Sequence, residues 1–212
     1  MHQNNGIAFA EDGSLFIACA SSGDRTLDEH PWGGTVLRVS PDFASTQVFA
    51  RGFRNPFGIA FGPDNELFLN DNDIDGNAGD EVNHIIQDEH YGHPFVVPNE
   101  SSIEAEGFRE PILVGEHEWN FLGMAYATSQ SIPEEYRNCM YIADFMQRTI
   151  WRLKLEKSGE TYAVTLIDRF ASISTPIDIA VNEFGEFFII SRNAKKVYRI
   201  RPRRTNTGGS DE

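Results

Sequence analysis

One pattern recurs along the chain and limits what it can become. Residues 6–18 read GIAFAEDGSLFIA, residues 58–69 read GIAFGPDNELFL, residues 123–143 read GMAYATSQSIPEEYRNCMYIA and residues 178–190 read DIAVNEFGEFFII. Each copy is a short apolar run, a turn and a second apolar run. Each is followed by a third strand-like piece, at 34–40, 80–86, 148–155 and 195–201. Further strand-like segments, TQVFAR at 46–51 and YAVTLIDRF at 162–170, fill some of the gaps. Strand runs at such spacing, with turn signals and no amphipathic helix, predict an all-β repeat fold. Units of about four strands and roughly 40–50 residues are the mark of a β-propeller. Inner propeller strands are short and rich in Gly and Ala because they crowd the axis, and Gly58-Ile59-Ala60-Phe61 suits that place. A β-sandwich is the alternative, but it gives no reason to repeat one pattern four times.

The repeats, beginning near residues 6, 58, 123 and 178, predict about four blades of four antiparallel strands over residues 1–204. Residues 205–212 are polar and glycine-containing and are expected to be disordered. A ring closes by pairing its first and last strands. No strand before residue 6 could do this, so part of a longer propeller, or an unusually short one, is expected, and an exposed blade edge could pair with another copy. Residues 92–118 form a long connection with little strand character.

The 212 residues carry 32 acidic and 18 basic side chains, a formal net charge of -14. Such a surface repels phosphate backbones and excludes nucleic acid as the expected partner. Apolar runs are only strand-length, so no membrane span is expected, and the first residues show no signal-peptide pattern. Cys19 and Cys139 fit no metal spacing and read as buried free thiols. His84, His90, His93 and His117 lack zinc-site spacing. Trp32, Trp119 and Trp151 could stack on a sugar but suit core packing better.

The chemistry concentrates between Arg51 and Pro94. The run Arg54-Asn55-Pro56-Phe57 leads into the second repeat. Asn70, Asp71, Asn72, Asp73, Asp75, Asn77, Asp80 and Glu81 then supply many hard oxygens within a dozen residues, a composition that suits calcium. The run from Asp71 resembles the first half of an EF-hand loop, but the twelfth position is Val82 and the glutamate falls at Glu81, so a true EF-hand is not expected.

Arg54 through Phe61, then Asp80-Glu81-Val82-Asn83, then Tyr91-Gly92-His93-Pro94, in this order, resemble the glucose/sorbosone dehydrogenase family. That family includes soluble sugar dehydrogenases that use pyrroloquinoline quinone (PQQ). The resemblance runs from His2 to about Pro202 and implies a six-bladed propeller of which this chain matches the second blade onward. It implies oxidation of an aldose-type sugar at its anomeric carbon, with PQQ as hydride acceptor, calcium beside it, and an electron acceptor of unknown identity. It also implies a periplasmic or extracellular setting. Residue by residue, His2 matches the catalytic base. Arg54 and Asn55 match the pair that holds the quinone, Asp80 an acidic residue near it, and Arg148 loosely a further cation. Glu81 and the carbonyl of Tyr91 match a structural calcium site, to which Asp71, Asp73 and Asp75 are added as candidate ligands. Ser174 to Asp178 lacks the arginine that the family carries before its last blade. A non-catalytic propeller that binds a sugar or a protein and keeps a structural calcium is the alternative.

Overall fold

The computed structural model describes residues 6–72, 79–96 and 107–202. It is built almost wholly of antiparallel strands. Blade one is β1 (Ile7–Phe9), β2 (Leu15–Cys19), β3 (Thr35–Val39) and β4 (Thr46–Arg51). Blade two is β5 (Pro56–Phe61), β6 (Leu67–Asp71), β7 (Glu81–Ile85) and β8 (Leu113–Val114). Blade three is β9 (Phe121–Ala127), β10 (Cys139–Asp144), β11 (Thr149–Ser158) and β12 (Thr161–Ser172). Blade four is β13 (Pro176–Val181), β14 (Phe187–Ser191) and β15 (Lys196–Ile200). Strands pair in chain order within each sheet, so every blade is a meander whose first strand is innermost. The fold is the expected β-propeller architecture, with four blades among the described residues, the last of them three-stranded. The 92–118 connection does contain a strand, the two residues of β8, which pair with Glu81 and Val82.

Side-chain alternation explains why the sheets stack. In β6, Leu67 and Leu69 face blade one, where they join Phe16, Val36, Phe53 and Ile59. Phe68, between them in sequence, faces blade three and packs with Val82, Phe121, Met140 and Leu153. In β10, Met140 and Ile142 face blade two while Tyr141 and Ala143 face blade four. A strand with apolar residues on both faces must be covered on both sides. Each blade is thus the lid of its neighbour, and three apolar cores lie between successive blades.

The repeated glycine has a steric cause. A Cβ on Gly6 would collide with the carbonyl of Phe57 and with Ile59. On Gly58 it would collide with the carbonyl of Leu122 and the amide of Met124, and on Gly123 with Asp178. In each case the obstacle belongs to the inner strand of the next blade. The inner strands therefore approach backbone to backbone, and only glycine allows it.

A second repeat position closes the opposite end of the hairpin. Asp71, at the end of β6, lies in register with Pro56; Asp144, at the end of β10, with Phe121; Ser191, in β14, with Pro176. The Asp71 carboxylate accepts the backbone amides of Arg54 at 2.8 Å and Asn55 at 2.6 Å. Asp144 accepts the amides of Asn120 at 3.2 Å and Gln147 at 2.9 Å, and the indole N–H of Trp151 at 2.9 Å. The Ser191 hydroxyl donates to the carbonyl of Ser174. These side chains tie each incoming loop to its own blade. Burial pushes the Asp71 carboxyl up to about 7, and the charge of Asp80 adds to this, although both amide bonds pull the other way.

Two consequences are measurable. Gly58→Ala forces two backbones apart and should cost about 1–3 kcal/mol or more, read as a lowered thermal midpoint. An unchanged midpoint would mean the inner strands are not held in contact. Asp71→Asn turns an NH2 toward an N–H donor and should cost about 1–3 kcal/mol. The pH dependence has a definite sign. The folded carboxyl titrates near 7, above its ordinary value of 3.8, so the neutral form favours the fold. That contribution is complete below about pH 4 and is lost as pH rises through about 7. The stability gap between wild type and Asp71→Asn should therefore narrow from about pH 4 to about pH 8; a widening gap would contradict this.

Candidate functional site

The inner strand of each blade starts at one face of the propeller, and the second strand ends there. Residues 52–55, Asn72, residues 79–80 and residues 115–120 therefore meet on this face. The first of them places Arg54. Gly52 has φ 89° and its Cα sits against the ring of His90, so the chain turns where a side chain would clash. Phe53 is buried and stacks on Tyr91 with centroids 4.8 Å apart. The carbonyl of Arg54 accepts the amide of Ser21 at 2.8 Å, which joins blade one to the loop.

The Arg54 side chain is only 11% exposed. Its Nε and Nη2 donate to one carboxylate oxygen of Asp24 at 3.0 and 2.7 Å, and Nη1 donates to the carbonyl of Asn72 at 3.1 Å. The guanidinium plane is thus fixed from two sides. Beside it, Asn55 donates to Oδ1 of Asn72 at 3.2 Å. Asn72 donates in turn to Asp80 at 2.5 Å and to the carbonyl of Phe121 at 2.6 Å. The same oxygen of Asp80 accepts the amide of Phe121 at 2.6 Å. Below this layer, Asn70 accepts the amide of Gly58 at 2.9 Å and donates to the carbonyl of Leu122 at 2.6 Å. One polar network therefore crosses three blades. Asn70, Asn72, Asp71 and Asp80 are all buried in it, where a missing partner would cost most.

Of the expected site residues, the structure joins Arg54, Asn55 and Asp80 through Asn72. Asp71 has a scaffold role beside its candidate one: both its oxygens accept backbone amides in a repeat position shared with Asp144, which closes the loop before β5. Arg148 is exposed in the turn after β10, at the same end of blade three, with φ 53°. Among the described residues no contact joins it to Arg54. His2, Asp73 and Asp75 lie outside the described residues.

Glu81 and Asn83 lie on one face of β7, and Nδ2 of Asn83 donates to Glu81 Oε2 at 3.1 Å. Asn83 is fully buried, and its Oδ1 has no hydrogen-bond partner. Tyr91 donates its hydroxyl to the carbonyl of His84 at 2.6 Å and its amide to Arg51 at 2.9 Å. Its own carbonyl accepts no hydrogen bond among the described residues. A carboxylate, a buried carbonyl without a donor and an uncommitted backbone carbonyl are the oxygen types that calcium takes. Among the described residues no three His, Cys, Asp or Glu side chains converge as a metal cluster. The histidines are dispersed: His84 pairs with Glu66 and lies 3.3 Å from the hydroxyl of Thr161, while the ring of His90 packs tilted against Phe108. Trp119 and Trp151 stack on each other at 4.6 Å and border the core between blades two and three. Cys19 and Cys139 are buried free thiols whose pKa burial raises.

Three residues of the site were not singled out from the sequence. Asp24 lies in a loop with no distinguishing motif, and its partner is far away in the chain. Asn72 was one of many polar residues in an acidic stretch. Asn83 did carry a signal, because period-two alternation puts it beside Glu81.

Comparison with known proteins agrees with this fold. No curated protein sequence matches the chain. Among solved structures, a putative oxidoreductase (glucose dehydrogenase) from Thermus thermophilus is 23% identical with a TM-score of 0.74, over 98% of this chain and 63% of that one. A PQQ-bound aldose sugar dehydrogenase from Streptomyces coelicolor is 25% identical with a TM-score of 0.71, over 98% and 60%. The apo-form of a soluble aldose sugar dehydrogenase from Escherichia coli is 20% identical with a TM-score of 0.72, over 93% and 63%. The chain thus spans about three-fifths of the length of these structures. The family model for Glucose / Sorbosone dehydrogenase matches residues 1–196. The chain belongs to the glucose/sorbosone dehydrogenase family.

Proposed function

We propose that this chain takes part in oxidising an aldose-type sugar at its anomeric carbon, with PQQ as hydride acceptor and calcium as a second cofactor. The observation that carries the reading is the fixed, nearly buried guanidinium of Arg54 on the face where the loops of three blades meet. PQQ bears carboxylates, and a guanidinium held in one plane grips a carboxylate with two parallel hydrogen bonds. A cation fixed on this face suits that group in exchange for Asp24, which now takes one edge of the guanidinium. Bound PQQ would supply the hydride-accepting carbonyl, and calcium beside it the Lewis acidity that favours its reduction.

The chain's own residues divide the remaining work. Arg54 holds a carboxylate of the cofactor, and Asn55 donates beside it. Asp80 acts through another residue: by fixing Asn72 and the start of β9 it sets the floor on which Arg54 and Asn55 stand. Asp24 neutralises Arg54 in the absence of ligand and sets the plane of its guanidinium. Arg148 offers a second cation from blade three. His2 would take the proton from the anomeric hydroxyl. Glu81 and the Tyr91 carbonyl would hold a structural calcium. The periplasmic or extracellular setting is carried over from the family. Among the described residues no helix is long and apolar enough to cross a membrane.

One observation favours the non-catalytic alternative. Asp24 already occupies an edge of the Arg54 guanidinium, and Ser174–Asp178 supplies no second arginine. Calorimetric titration with PQQ in the presence of calcium separates the two. Arg54→Ala should weaken PQQ binding by about 2–4 kcal/mol, roughly 30- to 1,000-fold. Its thermal midpoint should fall only modestly, because the abandoned Asp24 carboxylate is half exposed. A wild-type chain that binds no PQQ, or a variant that loses stability but not affinity, would support the non-catalytic propeller.

A further inference from the structure

We propose that Asn83 is itself a calcium ligand, through Oδ1, in the site shared by Glu81 and the Tyr91 carbonyl. The inference rests on the calcium part of the proposed function and adds a residue to it. It starts from an orphan. Among the described residues, Asn83 Oδ1 is the one buried side-chain oxygen or nitrogen without a hydrogen-bond partner. Native interiors satisfy such atoms almost without exception, so each failure calls for a missing partner.

The neighbourhood says what that partner is. The amide nitrogen of Asn83 is committed to Glu81 Oε2 at 3.1 Å, which fixes the amide beside that carboxylate and leaves Oδ1 an acceptor only. The residue is 0% exposed, so bulk water does not reach it. β7 carries Glu81 and Asn83 on the face toward blade one, and Tyr91 is buried in the core on that same side. Tyr91 is anchored there by its stack on Phe53 and by its hydroxyl, which donates to the carbonyl of His84 and accepts the amide of Ile86 at 2.9 Å. Its side chain is therefore held against the end of β7, and its backbone amide donates to the carbonyl of Arg51. A carboxylate, an asparagine carbonyl and a backbone carbonyl make a hard, all-oxygen donor set with one net negative charge. That set suits calcium better than zinc, which prefers nitrogen and sulfur. A cation here would cross-link β7 to the 86–96 segment and, through Tyr91 and Arg51, to blade one. It would act on the scaffold and not on the reacting sugar.

The test uses calcium alone, with no PQQ or sugar. Calcium affinity by calorimetry and the calcium-induced rise in thermal midpoint are measured for the wild type, Asn83→Leu, Asn83→Asp and Glu81→Gln. Wild type should bind one calcium and gain midpoint. Asn83→Leu should lose affinity at least tenfold and lose most of the midpoint gain. Asn83→Asp places a second carboxylate next to Glu81, so its metal-free midpoint should drop and its calcium response should grow. This variant decides the matter if the leucine variant fails to fold. Calcium binding lost in Glu81→Gln but intact in Asn83→Leu would keep the site and overturn the role of Asn83, leaving a trapped water as its partner. No calcium binding by the wild type would overturn the site and this inference together, while the PQQ titration would still stand or fall separately.

Discussion

The structure depends on the contact of backbone against backbone between neighbouring inner strands. Gly58 is the centre of it. Its missing Cβ lets the carbonyl of Leu122 approach, and Asn70 then bridges the two strands by accepting from Gly58 and donating to Leu122. Had the inner strands been spaced by side chains, the loops at their ends would stand apart. Because they touch, the loops before β5 and β9 and the end of β6 converge, and Arg54, Asn72, Asp80 and Phe121 fall within hydrogen-bond reach. The site is a consequence of the packing at the axis.

Polarity follows the same geometry. Halfway along the blades the interfaces are apolar and the alternation of β6 and β10 fills them. At the strand ends the backbone runs out of ladder partners, and buried Asn and Asp side chains replace them. Those side chains are needed by the scaffold whatever the chain does. The Arg54 guanidinium is different. No strand end requires it, and holding it in place takes Asp24, the carbonyl of Asn72 and the surrounding loop. Fixing a cation in one plane lowers the entropy cost of gripping an anion later.

Much of the fold was legible in the sequence because its cause is local. Strand–turn–strand repeats, period-two alternation and the turn at Pro63–Asn65 show within a few residues of one another. In that turn Asp64 and Asn65 adopt φ of 56° and 57°. The site was half legible. Arg54, Asn55 and Asp80 stand in recognisable runs. Asp24 does not, since its pairing with Arg54 spans thirty residues and arises only when blades one and two pack. The scaffold role of Asp71 was hidden for a related reason. Next to Asp73 and Asp75 the residue looks like a member of an acidic loop, and only the register with Pro56, matched by Asp144 with Phe121, shows it to be a repeat position. Asn83 was visible in the Asp80–Asn83 run, but the orphaned oxygen that distinguishes it needs three-dimensional packing to appear.

The central claim is that the loop face around Arg54 is a site for redox chemistry on a sugar. It is tested most directly by following the absorbance of PQQ bound to the purified chain under anaerobic conditions, with calcium present, while an aldose is added. The account predicts loss of the oxidised-quinone spectrum in step with sugar oxidation, one equivalent for each site. A quinone that binds to the chain yet stays oxidised under every aldose tried would contradict catalysis and leave a propeller that only binds.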